Sequence, residues 1–119
     1  MKPTQVLTKF LEARDTAHLL HLNTTSYAEH KALDTFYNDW LGLVDTFVET
    51  YAGRYQRIEG VTSITIPAVK ADEYLKTLRA FVQIEAASII APTLDADLAN
   101  ILADMLALIN HTLYMLTLK

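Results

Sequence analysis

The chain has no cysteine in its 119 residues, so a disulfide framework and a thiolate metal site are both excluded. That absence fits a cytoplasmic protein. Although 51% of the residues are hydrophobic, none of the apolar runs reaches the length of about 18 residues that a membrane span needs. No basic run occurs, and the formal charge is −4, which argues against tight nucleic-acid binding through phosphate contacts. The opening MKPTQVLTKFLEAR carries charges inside its apolar region and no small-residue cleavage site, so it does not read as a signal peptide. Internal repeats, low-complexity segments and linkers are also missing. The expectation is one domain, 1–119, with a single core.

What is present is helical periodicity. Pro3 suits a first helical turn, where its missing N–H costs nothing. Val6, Phe10, Ala13, Ala17 and Leu20 then recur at three- and four-residue steps, the core face of a first helix at about 3–22. Leu7, Leu11, Arg14, His18 and Leu22 form a second stripe beside it, fit for a partner subunit. Ser26 and Glu29 match a capping box and start a second helix at about 27–52. Its core face is Leu33, Tyr37, Trp40, Val44, Phe47, Val48 and Tyr51, and Gly53 is its breaker. The β-branched stretch EGVTSITIPAV favours extended backbone, but a single strand has no partner, so it reads as a crossover connection. A third helix is expected at about 69–89, with Tyr74, Leu78, Phe81, Val82 and Ile89 inward. Thr93 is the N-cap candidate for a fourth at about 94–118, carrying Leu98, Ile101, Leu102, Met105, Leu108, Leu113 and Leu116. Four helices with short connections inside each pair and a crossover between the pairs predict an all-α, ferritin-like four-helix bundle.

The stretch from His18 to Glu49 holds the candidate chemistry. His30, Asp34, Asp45 and Glu49 follow one another at steps of 4, 11 and 4, which puts them in a band roughly 100° wide on the second helix, bordering its aromatic core face. Half-buried carboxylates there are costly unless paired or metal-bound. The His30/Asp34 and Asp45/Glu49 pairs are centred about 15 residues apart, about 22 Å along the axis, so one metal centre cannot use both from the same helix. A two-fold-related copy crossing antiparallel brings one pair to the other and makes two composite sites per dimer.

At these residues the chain resembles the Dps miniferritins, ferritin-like proteins that oxidise and store iron. The family's motif is His, a second His 12 residues on, Asp 4 further, Asp 11 further and Glu 4 further. His18, His30, Asp34, Asp45 and Glu49 reproduce those intervals. The family's His-Trp-Asn turn resembles His21-Leu22-Asn23, and its Leu-Trp pattern resembles Leu113-Tyr114. Spacing selects His18 as the ligand from the first helix, whereas the turn selects His21. The resemblance implies a ferroxidase that binds Fe(II) through imidazole and carboxylate: His30 and the first-helix histidine on one iron, Asp34 in support, and Glu49 bridging beside Asp45. It also implies a homo-oligomer, at least a two-fold dimer, with a cage of dimers as the family's larger assembly. Short phage-encoded ferritin-like proteins look similar. Relative to the family, the crossover is short and Lys2 and Lys9 are scattered, so neither DNA binding nor the hollow dodecamer is implied. The Glu-x-x-His signature of intrasubunit di-iron bundles does not occur: Glu85 meets Ser88 at that spacing.

The other class of function is a non-catalytic helical oligomer acting as an interaction or ligand-sequestering protein. A polar helix edge is commonly just a solvated or salt-bridged boundary. Asp97, Asp104 and His111, every seven residues on the fourth helix, read as a polar seam. The Asp95/Asp97 pair reads as compensation of a helix dipole.

Overall fold

Four α-helices carry the chain in the computed structural model, which describes residues 1–118; no strand occurs among them. They are α1 (Pro3–Asn23), α2 (Tyr27–Arg54), α3 (Ala71–Ile84) and α4 (Ala96–Met115), with a short 3-10 turn, Ala86–Ile89, after α3. None is long and apolar enough to cross a membrane among the described residues.

Pro3 opens α1, and the Gln5 side chain accepts the free backbone N–H of Lys2 at 2.9 Å, satisfying one donor that a helix start leaves open. The expected stripe of Val6, Phe10, Ala13 and Ala17 is fully buried. Leu22, at the end of the second stripe, is 62% exposed instead, because the helix is already ending there. In the turn, Ser26 Oγ accepts the Glu29 N–H at 3.2 Å, half of the capping box. The Glu29 carboxylate does not reach back to the Ser26 N–H. It takes the Thr24 hydroxyl at 2.5 Å, and Thr24 Oγ1 in turn accepts the Ser26 N–H at 3.1 Å.

The long dimension of the molecule, 43 Å, is that of α2, whose 28 residues span about 42 Å at 1.5 Å per residue. Gly53 does not break it, and the helix runs one residue further. Leu33, Phe36, Trp40, Val44, Phe47 and Tyr51 are its buried face. Phe36 takes the place expected for Tyr37, which is half-buried, as is Val48. The purely apolar ring goes inward and the one with a hydroxyl stays at the edge. Trp40 lies at the centre, its ring edge-on to Phe10 at 5.5 Å, and its indole N–H donates to the Phe10 carbonyl at 2.9 Å.

Residues 55–70 form an irregular connection that runs from one end of the bundle to the other. It starts beside the first turn of α1, where Thr4 Oγ1 donates to the Glu59 carbonyl at 2.6 Å. Gly60 follows with φ of +96°, a conformation that a side chain would strain. At the far end Ile66–Lys70 line a cleft with Leu19, Leu20 and Asn23 of α1. α3 therefore begins where α1 ends and runs back along it, while α4 begins beside Arg54 at the end of α2. α1 packs on α2, α2 on α4 and α4 on α3, and α1 meets α3 over a smaller contact.

Boundaries in the second helix pair depart from the sequence reading, and α4 ends at Met115 instead of at about 118. The expected third helix ends at Ile84: Ser88 donates both its N–H and its hydroxyl to the Glu85 carbonyl, at 3.1 and 2.6 Å, tightening the last turn into 3-10 geometry. The fourth starts at Ala96, with Asp95 and not Thr93 at the N-cap. The Asp95 carboxylate turns back to the Ala91 N–H at 2.8 Å and holds residues 92–95 in turns.

Candidate functional site

The end of α1 and the start of α2 are joined by an exchange between two histidines. His21 Nδ1 lies 2.7 Å from the His30 carbonyl, and His30 Nδ1 lies 2.9 Å from the His21 carbonyl. A carbonyl oxygen only accepts, so each Nδ1 carries a hydrogen, and in each neutral ring the lone pair resides on Nε2. The two rings stack at 3.8 Å, 18° from parallel. This is the way ligand imidazoles are usually held, with one nitrogen spent on a backbone oxygen and the other left to coordinate. His21 is 8% exposed and His30 half-buried.

His18, one turn earlier on α1, is half-buried. Its ring stacks on Tyr37 at 4.4 Å and 25°, and His21 lies 6.1 Å away. Tyr37 also meets His21 edge-on at 5.4 Å. Its phenol lies by Asp34: burial first, and then the hydrogen bond and charge of Asp34, push it above its ordinary value of 10. Asn38 Nδ2 donates to the Asp34 carbonyl at 2.9 Å and to its carboxylate at 3.3 Å. Arg14, one turn before His18, pairs with Asp15 at 3.1 Å, and its Nε is buried with no hydrogen-bond partner among the described residues.

The sequence-expected residues thus fall into two groups. His18, His21, His30 and Asp34 gather where α1 meets α2. Asp45 and Glu49 sit exposed, one turn apart, in the second half of α2. Among the described residues no three His, Asp or Glu of one chain converge as a metal site. Sequence reasoning assigned Tyr37 to the core, yet it touches or faces three of the candidate ligands. Its place three residues after Asp34 and seven after His30, one and two helical turns away, was the available signal.

A second polar cluster lies at the other end. Asp95 is 1% exposed and accepts the Tyr55 hydroxyl, while Arg54 reaches Asp95 and Asp97, both at 3.3 Å. The Tyr55 hydroxyl foremost, then the Ala91 N–H, hold the Asp95 carboxyl below its ordinary range. Its role therefore exceeds compensation of the α4 dipole: it ties the end of α2 to the start of α4. Asp97, Asp104 and His111 are exposed along α4.

A family of unknown function (DUF5856) matches residues 21–116, a span that takes in α2, α3, α4 and His21 but begins after His18. No curated protein and no solved structure matches the chain.

Proposed function

The chain belongs to that family of unknown function, and we propose that it is a Dps-like protein that binds and oxidises iron at a site shared between two copies. The observation that carries this reading is the His21/His30 exchange, which spends Nδ1 of each ring on a backbone carbonyl and leaves Nε2 of each to coordinate, with Asp34 one helical turn beyond His30 in sequence. Imidazole with carboxylate suits Fe(II). The order of the helices supports it as well. α1 lies next to α2 and α3, α4 closes the ring, and the connection of residues 55–70 runs the length of the bundle, as one long crossover does in ferritin-like folds.

Iron is the substrate in this reading. His30 and a histidine of α1 bind it, Asp34 supports it, and Asp45 and Glu49 come from a two-fold-related copy. The length of α2 keeps its two half-sites about 22 Å apart, so the dimer is the working unit. With peroxide as oxidant, each Fe(II) gives one electron, and two irons with two protons reduce one peroxide to two waters.

The test is anaerobic Fe(II) titration, addition of peroxide and measurement of ferric absorbance. The parent is expected to oxidise iron well above buffer, and His30→Ala/Asp34→Ala is expected not to. Equal rates for the two, or a parent no faster than buffer, overturn the reading. Mixing His30→Ala/Asp34→Ala chains with Asp45→Ala/Glu49→Ala chains restores activity if the site is shared; subunit exchange without restoration refutes the shared site. A second reading, a helical oligomer that interacts or sequesters without catalysis, draws on the same histidines, since their exchange and stack join α1 to α2 without any metal.

A further inference from the structure

Each half of the chain is joined locally. The Thr24, Ser26 and Glu29 bonds fold α1 back on α2, and the Asp95 bond to the Ala91 N–H shapes the turn between α3 and α4. Only the connection of residues 55–70 links the two hairpins covalently. Between Gln56 and Val69 it makes no backbone–backbone hydrogen bond among the described residues, and Thr4 on the Glu59 carbonyl is its one side-chain bond there. Ile58, Val61, Ile64 and Pro67 are half-buried and every residue between them is exposed. That three-residue repeat belongs to extended, polyproline-type chain and to neither helix nor strand. The span agrees. Glu59 bonds Thr4, and Ile66 lines one cleft with Leu19. Thr4 to Leu19 is about 15 residues of α1, about 22 Å, and Glu59 to Ile66 is about 7 residues, about 22 Å at 3.1 Å each. A fully extended chain would add only about 1 to 3 Å, so this strap has almost no slack.

The hairpins otherwise meet through α2 on α4 and the smaller α1–α3 contact, with Arg54 reaching Asp95 and Asp97 at one end. Every such contact runs from one hairpin to the other, so it forms equally well when the hairpins belong to two copies of the chain. Only the strap then changes course, and it has the least hydrogen bonding to lose. Short, taut connections are the usual hinges of such a swap, and Gly60, at φ of +96°, is a residue that turns freely. We propose that two copies of this chain form a two-fold dimer by swapping their α3–α4 hairpins, with residues 56–69 as the hinge. The swap is independent of the iron reading, because α1 and α2 travel together and keep the His21/His30 junction within one copy.

The experiment uses the full chain in metal-free buffer and the Arg54–Asp97 pair, which joins α2 to α4. One chain carries Arg54→Glu and the other Asp97→Arg, so each alone sets like charges against each other. The two are unfolded together in urea and refolded, and native mass spectrometry counts homodimers and heterodimers. In a swapped heterodimer both bundles pair opposite charges at these positions, so heterodimers are expected well above the statistical half, with Tm above that of either chain alone. Copies packed side by side keep positions 54 and 97 of one chain together, so heterodimers at the statistical half refute the swap and leave the iron reading standing. A parent that is monomeric by light scattering refutes it too. Strap length gives a second measurement, should the charge variants fail to fold. Inserting Gly-Ser-Gly-Ser-Gly-Ser after Ser63 supplies slack and is expected to shift the parent from dimer toward monomer. Deleting Thr62, Ser63 and Ile64 keeps the three-residue repeat, shortens the strap by about 9 Å and is expected to leave dimer only, with Ile64→Ala at full length as the control for the lost side chain. An insertion that leaves the dimer fraction unchanged, or a deletion that folds as a monomer, overturns the hinge.

Discussion

Replacing His21 by alanine measures how much the histidine exchange contributes to the bundle. The ring is 8% exposed, donates to the His30 carbonyl at 2.7 Å and stacks on the His30 ring at 3.8 Å. Losing the hydrogen bond costs about 1 kcal/mol and losing the stack about 1 kcal/mol. The void left by a buried ring adds about 1 to 2 kcal/mol, for a total of about 3 to 4 kcal/mol. At about 4 °C per kcal/mol for a chain of this size, Tm falls by about 12 °C or more. His30→Ala removes the reverse bond and the same stack from a half-buried position, and should cost about 2 kcal/mol. The stack is common to both, so the double variant should fall short of the sum of the singles by about 1 kcal/mol. The assay is thermal and urea unfolding followed by far-UV circular dichroism, in metal-free buffer at one fixed protein concentration. A His21→Ala cost below about 0.5 kcal/mol, or strict additivity with His30→Ala, would refute this account.

Two further outcomes bear on the core and on the distal cluster. Trp40→Phe keeps an aromatic ring against Phe10 but loses the buried N–H donation at 2.9 Å. It should cost about 1 to 2 kcal/mol in urea unfolding, and Trp40→Ala about 3 to 5 kcal/mol. Asp95 has its carboxyl held low, foremost by the Tyr55 hydroxyl, so its stabilisation is present above its ordinary value of 3.8 and is lost as pH falls through the lower folded value. Tyr55→Phe should therefore lower Tm by a constant amount above about pH 5, and the gap from the parent should shrink below pH 3.8. A gap that widens in acid would contradict the role given to this pair.

Positions decided by short-range period were legible. Val6, Phe10, Ala13 and Ala17 follow helical steps and are buried, and Ser26 starts α2 because its side chain reaches an N–H three residues on. Adjacent aromatics were not: Phe36 and Tyr37 lie about 100° apart on the helix, both within reach of an apolar face, and only the docking of α1 separates the buried ring from the edge. The start of α4 was misplaced for a similar reason. Asp95 is held in its turn by Tyr55, forty residues away in sequence, and no local pattern carries that pairing.

The candidate site divides along the same line. The intervals between His18, His30, Asp34, Asp45 and Glu49, and with them the separation of the two half-sites along α2, follow from the sequence alone, since the helical rise converts residue number into distance. The His21/His30 exchange and the place of Tyr37 over His18 do not. They depend on the turn after Asn23 folding α2 back against α1, a long-range event that sets which ring faces which carbonyl and that helical periodicity does not encode.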